Sequence, residues 1–148
     1  MADKVLKISD KIEKRLNEIA KKMEVSLKVG FMSGAAYPDG TSVASVAFLN
    51  EFGHGGIHPA PARPFFRNMI AKESPSWGDT MAKLAKKNNY NGQIVMKSMG
   101  EEIKAALMQS IRDLTDPPLA DSTKKAKGFD KPLIDTTQLL NSVTYEVK

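Results

Sequence analysis

Residues 48–66 read FLNEFGHGGIHPAPARPFF, with an apolar block at each end and a glycine- and proline-rich middle that holds both histidines of the chain. Glycine allows backbone angles that other residues avoid, and proline fixes φ and lacks an N–H donor. The middle of this stretch is therefore predicted to be irregular and extended. Pro64 suits the first position of a helix, where the missing N–H has no helical partner. The stretch is thus predicted to lead directly into a helix.

The bulk composition predicts one domain that covers residues 1–148. A chain of this length with 41% hydrophobic and 26% charged residues can build one modest core. It has no cysteine, which excludes disulfides and thiolate metal sites and fits a reducing compartment. We expect no signal peptide, because the N-terminal residues have no long apolar core, and no run approaches the roughly 18 apolar residues of a membrane helix.

The net charge of +5 permits contact with nucleic acid or another acidic surface. The lysines, however, are spread over several segments and greatly outnumber the arginines. This pattern favours a solvated surface over a dedicated binding site. A basic nucleic-acid-binding module is kept as an alternative function.

The N-terminal part of the chain is predicted to form a helix followed by a strand. Residues 4–23 place apolar side chains three and four positions apart, which gives one apolar stripe on a helix. The stripe consists of Val5, Ile8, Ile12, Leu16, Ile19 and Met23. We expect this helix to pack on a sheet. Residues 25–31 alternate apolar and polar side chains, which is typical of a half-buried strand.

The middle of the chain is predicted to be helical. Residues 42–52 fit a short helix that ends at the glycine following it. A second helix should begin at Pro64 and reach residue 87, with a restart or kink at Ser74–Pro75. A third helix should cover residues 93–114. Because only a short turn separates the two long helices, they are predicted to form an antiparallel hairpin.

The C-terminal part is predicted to carry an exposed arm and a second strand. Residues 116–132 have no apolar period and several lysines, which is typical of a solvated arm. A short apolar anchor at Leu133–Ile134 and a brief turn with Leu139–Leu140 follow. Residues 142–147 alternate like a strand and are expected to pair with residues 25–31.

These elements predict an α+β fold. Its small antiparallel β-sheet is formed by strands near residues 25–31 and 142–147. An N-terminal helix and a long helical hairpin pack with this sheet. Three connections are predicted to be extended loops or arms with little local support, at residues 32–41, 53–63 and 116–132.

His54 and His58 are the candidate ligands for a metal. A zinc site of the H-E-x-x-H type needs both histidines on one helical face, but the glycines between them and Pro59 disfavour a helix. A metal-dependent hydrolase has no other support, so we predict no metal site. The sequence also contains no G-x-S-x-G motif and no phosphate-binding loop. We therefore predict no catalytic residue and no cofactor.

Residues 63–66, RPFF, place an arginine beside two phenylalanines at a predicted helix start. Arginine and aromatic residues dominate the energetics of protein interfaces. The two phenylalanines fit a subunit interface and a hydrophobic core equally well. In a core, Arg63 would cap a loop carbonyl.

Two stretches of the chain carry a resemblance when they are taken together. The first is Asn50-Glu51-Phe52-Gly53, followed by Pro61-Ala62-Arg63-Pro64-Phe65-Phe66. The second is Pro117-Pro118-Leu119-Ala120-Asp121-Ser122-Thr123, then Lys127-Gly128, Lys131-Pro132-Leu133-Ile134-Asp135-Thr136 and Gln138-Leu139-Leu140-Asn141-Ser142-Val143. In order and spacing, most of residues 42–147 resembles the tail-completion, or head–tail joining, family of tailed bacteriophages. Members of this family are also described as neck or virion morphogenesis proteins.

The resemblance implies a small α+β subunit of the virion that forms a ring, commonly a hexamer, where the head connector meets the tail. It implies no catalysis and no membrane. The partners would be copies of the same chain, connector or neck proteins, and tail-tube or terminator proteins. Neighbours in the ring would order the three loops, because burial offsets the backbone entropy cost of about 1–2 kcal/mol per residue.

The same resemblance suggests candidate site residues. The candidates for the subunit interface are Glu51, Phe52, Arg63, Phe65, Phe66, Leu133, Ile134, Asp135 and Leu139. DNA passes through such a junction, and the candidates for facing it are Lys124, Lys125, Lys127 and Lys131. Contact of this kind would be transient, independent of base sequence and dependent on salt.

Overall fold

The computed structural model describes residues 1–57, 59–115, 125 and 137–148, and these form an α+β fold. In chain order the described elements are helix α1 (Ala2–Lys22), strand β1 (Leu27–Phe31), helices α2 (Val43–Phe52), α3 (Phe65–Lys87) and α4 (Gly92–Asp113), the short helix α5 (Gln138–Asn141) and strand β2 (Val143–Val147). The predicted fold class, with its N-terminal helix, helical hairpin and antiparallel sheet, is confirmed.

The two strands pair in a register that agrees with their apolar pattern. Val29 lies opposite Tyr145 and Phe31 lies opposite Val143, so the apolar side chains of both strands share one face. Helix α4 packs on this face. Backbone hydrogen bonds of 2.7 and 3.0 Å between Ser26 and Lys148 extend the pairing by one residue. The predicted pairing of the two strands is therefore confirmed.

The core is built around α4, whose inward residues follow one another at spacings of three and four. Its buried apolar side chains are Val95, Met96, Met99, Ile103, Leu107 and Ile111. Phe65 of α3, Val43 of α2 and Leu139 of α5 are buried in the same cluster as the central α4 residues. Fully burying one such side chain stabilises the fold by about 1.5–3 kcal/mol. Helix α4 thus links the sheet to the other helices.

Helix α3 runs without a break through Pro75, so of the two alternatives predicted at Ser74–Pro75, a restart or a kink, the restart is wrong. Proline removes one helical hydrogen bond, here the one that the carbonyl of Ala71 would accept. Both Ala71 and Pro75 are exposed, so water can bond the freed carbonyl. On the inner side of the helix, Trp77 continues to pack against the core. Packing on one face therefore outweighs a defect on the other.

Helix α4 meets β2 at very close range. Gly100 is buried against the ring of Tyr145, and no side chain separates the ring from the helix backbone. The Tyr145 hydroxyl donates a hydrogen bond of 2.9 Å to Oε1 of Glu101, the next residue of α4. This bond to a carboxylate raises the pKa of the phenol above its ordinary value.

Helix α1 forms as predicted, but the expectation that it packs on the sheet is wrong. None of its residues is buried, and all but the half-buried Ile19 of its large apolar side chains are exposed, Val5 at 62% and Leu16 at 59%. The apolar face of the sheet is already covered by α4. The C-terminal end of α1 contacts the domain, where backbone atoms of Lys22 and Met23 lie against Gly92.

The loop at residues 32–41 is held within the chain, contrary to prediction. The N–H of Tyr37 donates to the carbonyl of Thr41 at 2.8 Å, and the N–H of Val43 donates to Ala35 at 3.0 Å. The Asp39 carboxylate accepts a bond of 2.9 Å from the N–H of Thr41, and bonds from Thr41 lower the pKa of Asp39. These are local turn contacts, which do not need a neighbouring molecule.

Replacing Gly100 with alanine is expected to destabilise the fold by about 1–3 kcal/mol, the usual cost of overpacking. The new Cβ would lie 2.5 Å from Cδ2 and 2.8 Å from Cγ of Tyr145. The matched control is Gly78→Ala on α3, where nothing lies within 4 Å of the added Cβ. Helix propensity favours this second change by up to about 1 kcal/mol. Urea denaturation measures both free energies of unfolding, and equal changes would contradict the close contact.

Candidate functional site

The two apolar blocks of residues 48–66 flank a closed loop. The N–H of Arg63 donates to the carbonyl of Asn50 at 2.6 Å, and His54 and Ala60 exchange backbone hydrogen bonds of 3.0 and 2.9 Å. These bonds hold both ends of the loop together within one chain. The prediction that residues 53–63 lack local support is therefore wrong. The supporting contacts join backbone groups, which the pattern of side chains does not reveal.

Gly53 lies at the base of this loop, in a position that selects glycine for two reasons. It is the C-cap of α2, and its φ of 71° falls in the left-handed region. A Cβ at this position would also lie 2.7 Å from the backbone nitrogen of Ala62 and 2.8 Å from the carbonyl oxygen of Ala60. The returning strand of the loop thus approaches the end of α2 more closely than any side chain would permit.

Glu51 turns its side chain inward from the end of α2 onto the start of α3. It is 6% exposed, and its carboxylate accepts hydrogen bonds from the backbone N–H groups of Phe66 at 2.9 Å and Arg67 at 3.1 Å. These groups belong to the first turn of α3, where a helix leaves N–H groups unbonded and favours negative charge. Glu51 therefore caps α3 from another helix, because the N-cap residue Pro64 provides no side-chain bond.

Arg67 completes the contact between α2 and α3. Its Nε donates to Oε1 of Glu51 at 2.8 Å, and its Nη2 donates to the carbonyl of Glu51 at 2.9 Å. Its guanidinium lies 4.9 Å from the ring centroid of Phe52, which is a cation–π distance. The rings of Phe52 and Phe48 lie 4.8 Å apart. One buried carboxylate is thereby connected to a pair of surface rings.

An apolar groove of about 260 Å³ opens beside these rings and is called the aromatic groove below. It is lined by Phe31, Ala44, Ala47, Phe48, Glu51, Phe52, Phe65, Phe66 and Arg67. Phe48 and Phe52 are 62% and 53% exposed, and the neighbouring Leu49 is 43% exposed. The groove and these three exposed side chains form one apolar surface.

Arg63 lies inside the chain and is 7% exposed. Its Nε has no hydrogen-bond acceptor among the residues that the structure describes. Burial lowers the pKa of its guanidinium below the ordinary value. Its backbone holds the loop in place. The N–H of Arg63 donates to the carbonyl of Asn50, and the carbonyl of Arg63 accepts from the N–H of Phe65 at 2.8 Å.

The structure separates the predicted interface residues by their exposure. Four of them belong to the interior of the chain, which corrects the expectation that they face a neighbour: Glu51, Arg63, Phe65 and Leu139. Three lie outside the described residues: Leu133, Ile134 and Asp135. Phe52 is exposed and Phe66 is half-buried, and both line the aromatic groove. The sequence left a subunit interface and a hydrophobic core open for the phenylalanines of residues 63–66, and Phe65 lies in the core.

The predicted arm and most of its lysines fall outside the described part of the chain. This applies to Lys124, Lys127 and Lys131, whereas Lys125 is exposed. His58 is also outside it, and His54 is exposed. Within the described ranges, no group of three or more His, Cys, Asp or Glu side chains could hold a metal ion. In the same ranges, none of the helices combines the length and hydropathy that crossing a bilayer requires.

Sequence reasoning missed Arg67, Phe48 and Leu49. The spacing of α2 carries a signal for one of them. Val43, Ala47 and Glu51 are four apart and form the buried face, so Phe48 and Phe52, also four apart, lie on a neighbouring face about 100° round the helix. A short helix that is apolar on both faces has one face left for a second contact. Arg67 has no such signal, because its partner Glu51 is 16 positions away across the loop.

No family model, curated protein or solved structure matches the chain. The meaning of the loop, the Glu51 cap and the aromatic groove therefore follows from their residues and contacts.

Replacing Glu51 with glutamine is expected to lower the free energy of unfolding by about 1–3 kcal/mol, because buried donors lose a charged acceptor. The carboxylate serves two backbone N–H groups and Arg67 at once, and a neutral amide cannot reproduce this set. Glu102→Gln, at an exposed position of α4, is the matched control and should change stability by less than about 0.5 kcal/mol. Equal stability of both variants in thermal and urea unfolding would refute the capping function.

Gly53→Ala is expected to loosen the loop and to cost at least about 1–2 kcal/mol from the left-handed backbone alone. The close approach of Ala60 and Ala62 adds to this cost. Gly55→Ala is the control, because nothing lies within 4 Å of its added Cβ. Hydrogen exchange should show faster exchange of the His54 and Ala60 amides in Gly53→Ala but not in Gly55→Ala. Unchanged protection in Gly53→Ala would show that the loop does not depend on this contact.

Proposed function

We propose that this chain is a structural subunit of a tailed bacteriophage that completes the tail and joins it to the head connector. Copies of the chain form a ring at the neck, with six as the expected number. The ring contacts connector or neck proteins on one side and tail-tube or terminator proteins on the other. Its location is the virion, after assembly in the host cytoplasm, and its function includes no catalytic step.

The observation that carries this proposal is the way two separate parts of the resembling sequence meet. Asn50–Gly53 and Pro61–Phe66 are separated by a loop along the chain. In space the carbonyl of Asn50 accepts from Arg63, the Glu51 carboxylate accepts from Phe66, and Gly53 lies against Ala62. The residues of the first resembling stretch therefore form one structural unit, and this supports the proposal.

The surface that this unit presents also supports a function in assembly. A subunit of a larger particle must offer apolar side chains that a neighbour can bury. Ile57, at the far end of the loop, is 93% exposed, and the aromatic groove lies at its base. Apolar side chains at such positions favour contact with protein over contact with nucleic acid, whose phosphates require charge.

Transient contact with DNA is a subordinate element of the proposal. Its basis is the net charge of +5 and the predicted lysines of residues 124–131, of which Lys125 is exposed. Contacts with phosphates weaken steeply as salt increases. Firm DNA binding at physiological salt would favour the nucleic-acid-binding module instead, because a tight grip would obstruct passage of the genome.

Phage particles assembled without this chain are expected to accumulate as DNA-filled heads and separate tails, because the ring that joins them is missing. Electron microscopy of lysates measures the fraction of joined particles. A copy of the unmodified chain supplied in trans should restore joining, and so should the Glu102→Gln variant as matched control. Normal joining in the complete absence of the chain would refute the proposal.

A further inference from the structure

Two apolar surfaces of this chain are exposed, and they differ in shape. One is the α1 stripe, defined here as Val5, Ile8, Ile12 and Leu16, which are between 51% and 62% exposed. The helix that carries it has 21 residues and is therefore about 30 Å long. The other surface is the concave aromatic groove between α2 and α3. A convex stripe and a concave groove are the two halves of a helix-in-groove contact.

The two surfaces lie at opposite ends of β1. The C-terminal end of α1 precedes the start of β1 and contacts Gly92. The groove lies at the other end of the strand, where Phe31 forms part of its lining. Since α1 has no buried residue along its whole length, the stripe does not cover the groove of its own chain. A second copy can bring the two surfaces together.

We propose that the α1 stripe of one copy packs into the aromatic groove of the next copy. The contact joins two different surfaces, so it is heterologous and repeats in one direction from copy to copy. Such a contact closes into a ring when the rotation between neighbours permits. This inference rests on the function proposed above, for which it names the contact that builds the ring.

The spacing of the stripe suits this contact. Helices that bind in apolar grooves do so through side chains at i, i+3, i+4 and i+7. Val5, Ile8 and Ile12 occupy the i, i+3 and i+7 positions of such a set, and Leu16 adds a fourth side chain one turn later. The groove is walled by the rings of Phe48, Phe52 and other apolar side chains, and offers no exposed carboxylate that these side chains would have to desolvate.

The charges beside the stripe favour the groove over a second copy of α1. One flank of the stripe carries cations at spacings of seven and four: Lys4, Lys11, Arg15 and Lys22. Of these, Arg15 is paired with Glu18 at 3.4 Å, which leaves a net positive flank. In an antiparallel pair of α1 helices, equal flanks face each other, so these cations would oppose their own copies. In the groove the charge of Arg67 is paired with the carboxylate of Glu51, and the rings of Phe48 and Phe52 are uncharged, so the groove opposes this flank with no net charge.

Disulfide trapping tests the contact directly, because the chain has no cysteine of its own. Ser9→Cys places a thiol beside the stripe, and Ala44→Cys places one in the lining of the groove without removing an aromatic ring. The two variants are purified separately, distinguished by an affinity tag, mixed at high concentration and oxidised mildly. The expected result is a disulfide between the two variants. Lys14→Cys, on the polar face of α1, replaces Ser9→Cys in the matched control and should give several-fold less product.

Two results would overturn the proposal. One is an equal yield from Ser9→Cys and Lys14→Cys mixtures. The other is a predominance of disulfides between two Ser9→Cys chains, which would assign the stripe to pairing of α1 with itself. Flotation with anionic lipid vesicles adds a third: vesicle binding that Ile12→Asp abolishes, without a stripe-to-groove disulfide, would assign the stripe to a lipid surface.

A second variant keeps the outcome separate from folding and from the proposed function. Ile12→Asp should leave the unfolding transition unchanged, because Ile12 is 55% exposed, and should reduce self-association in sedimentation at high concentration. Unchanged self-association would contradict the contact. Trapped disulfides together with normal head–tail joining in particles that lack the chain would refute the phage function but leave the contact standing. If no disulfide is trapped but particles that lack the chain fail to join heads to tails, the contact is refuted and the phage function stands.

Discussion

The buried carboxylate of Glu51 is the constraint on which the candidate site depends. A charge removed from water is costly unless hydrogen bonds and an opposite charge compensate for it. Here the first turn of α3 and Arg67 provide both. These bonds join the end of α2 to the start of α3 and so hold the two ends of the loop between them. The aromatic groove lies at this junction.

Glycines determine how closely the remaining parts approach one another. Gly53 admits the returning backbone of the loop, and Gly100 admits the ring of Tyr145 onto α4. In both places a single methyl group would separate elements that are now in contact. The close contacts in the loop and at the sheet therefore require glycine, which has no side chain, whereas apolar side chains fill the core between them. Glu51 acts in the same region as Gly53, and together they convert a glycine- and proline-rich segment into a defined loop.

Periodic features of the fold could be predicted from the sequence. The alternation of residues 25–31 and 142–147 gives each strand one apolar face, which favours their pairing and excludes registers shifted by one residue. Contacts between distant backbone groups could not be predicted, and these close the loop between Asn50 and Arg63. The exposure of α1 also could not be predicted from the sequence. Its pattern predicts an apolar stripe, but periodicity contains no information on whether another element of the same chain covers that stripe.

The closed loop changes how assembly would work. If neighbours had to order residues 53–63, each residue would cost about 1–2 kcal/mol of backbone entropy at the moment of contact. In the single chain that entropy is already lost, because backbone hydrogen bonds join His54 to Ala60 and Asn50 to Arg63. In the proposed ring a neighbour would meet a preformed surface, and less of the favourable energy of apolar burial would be consumed by ordering. A ring built from such subunits needs only modest contacts between neighbours, because each contact is repeated around the ring.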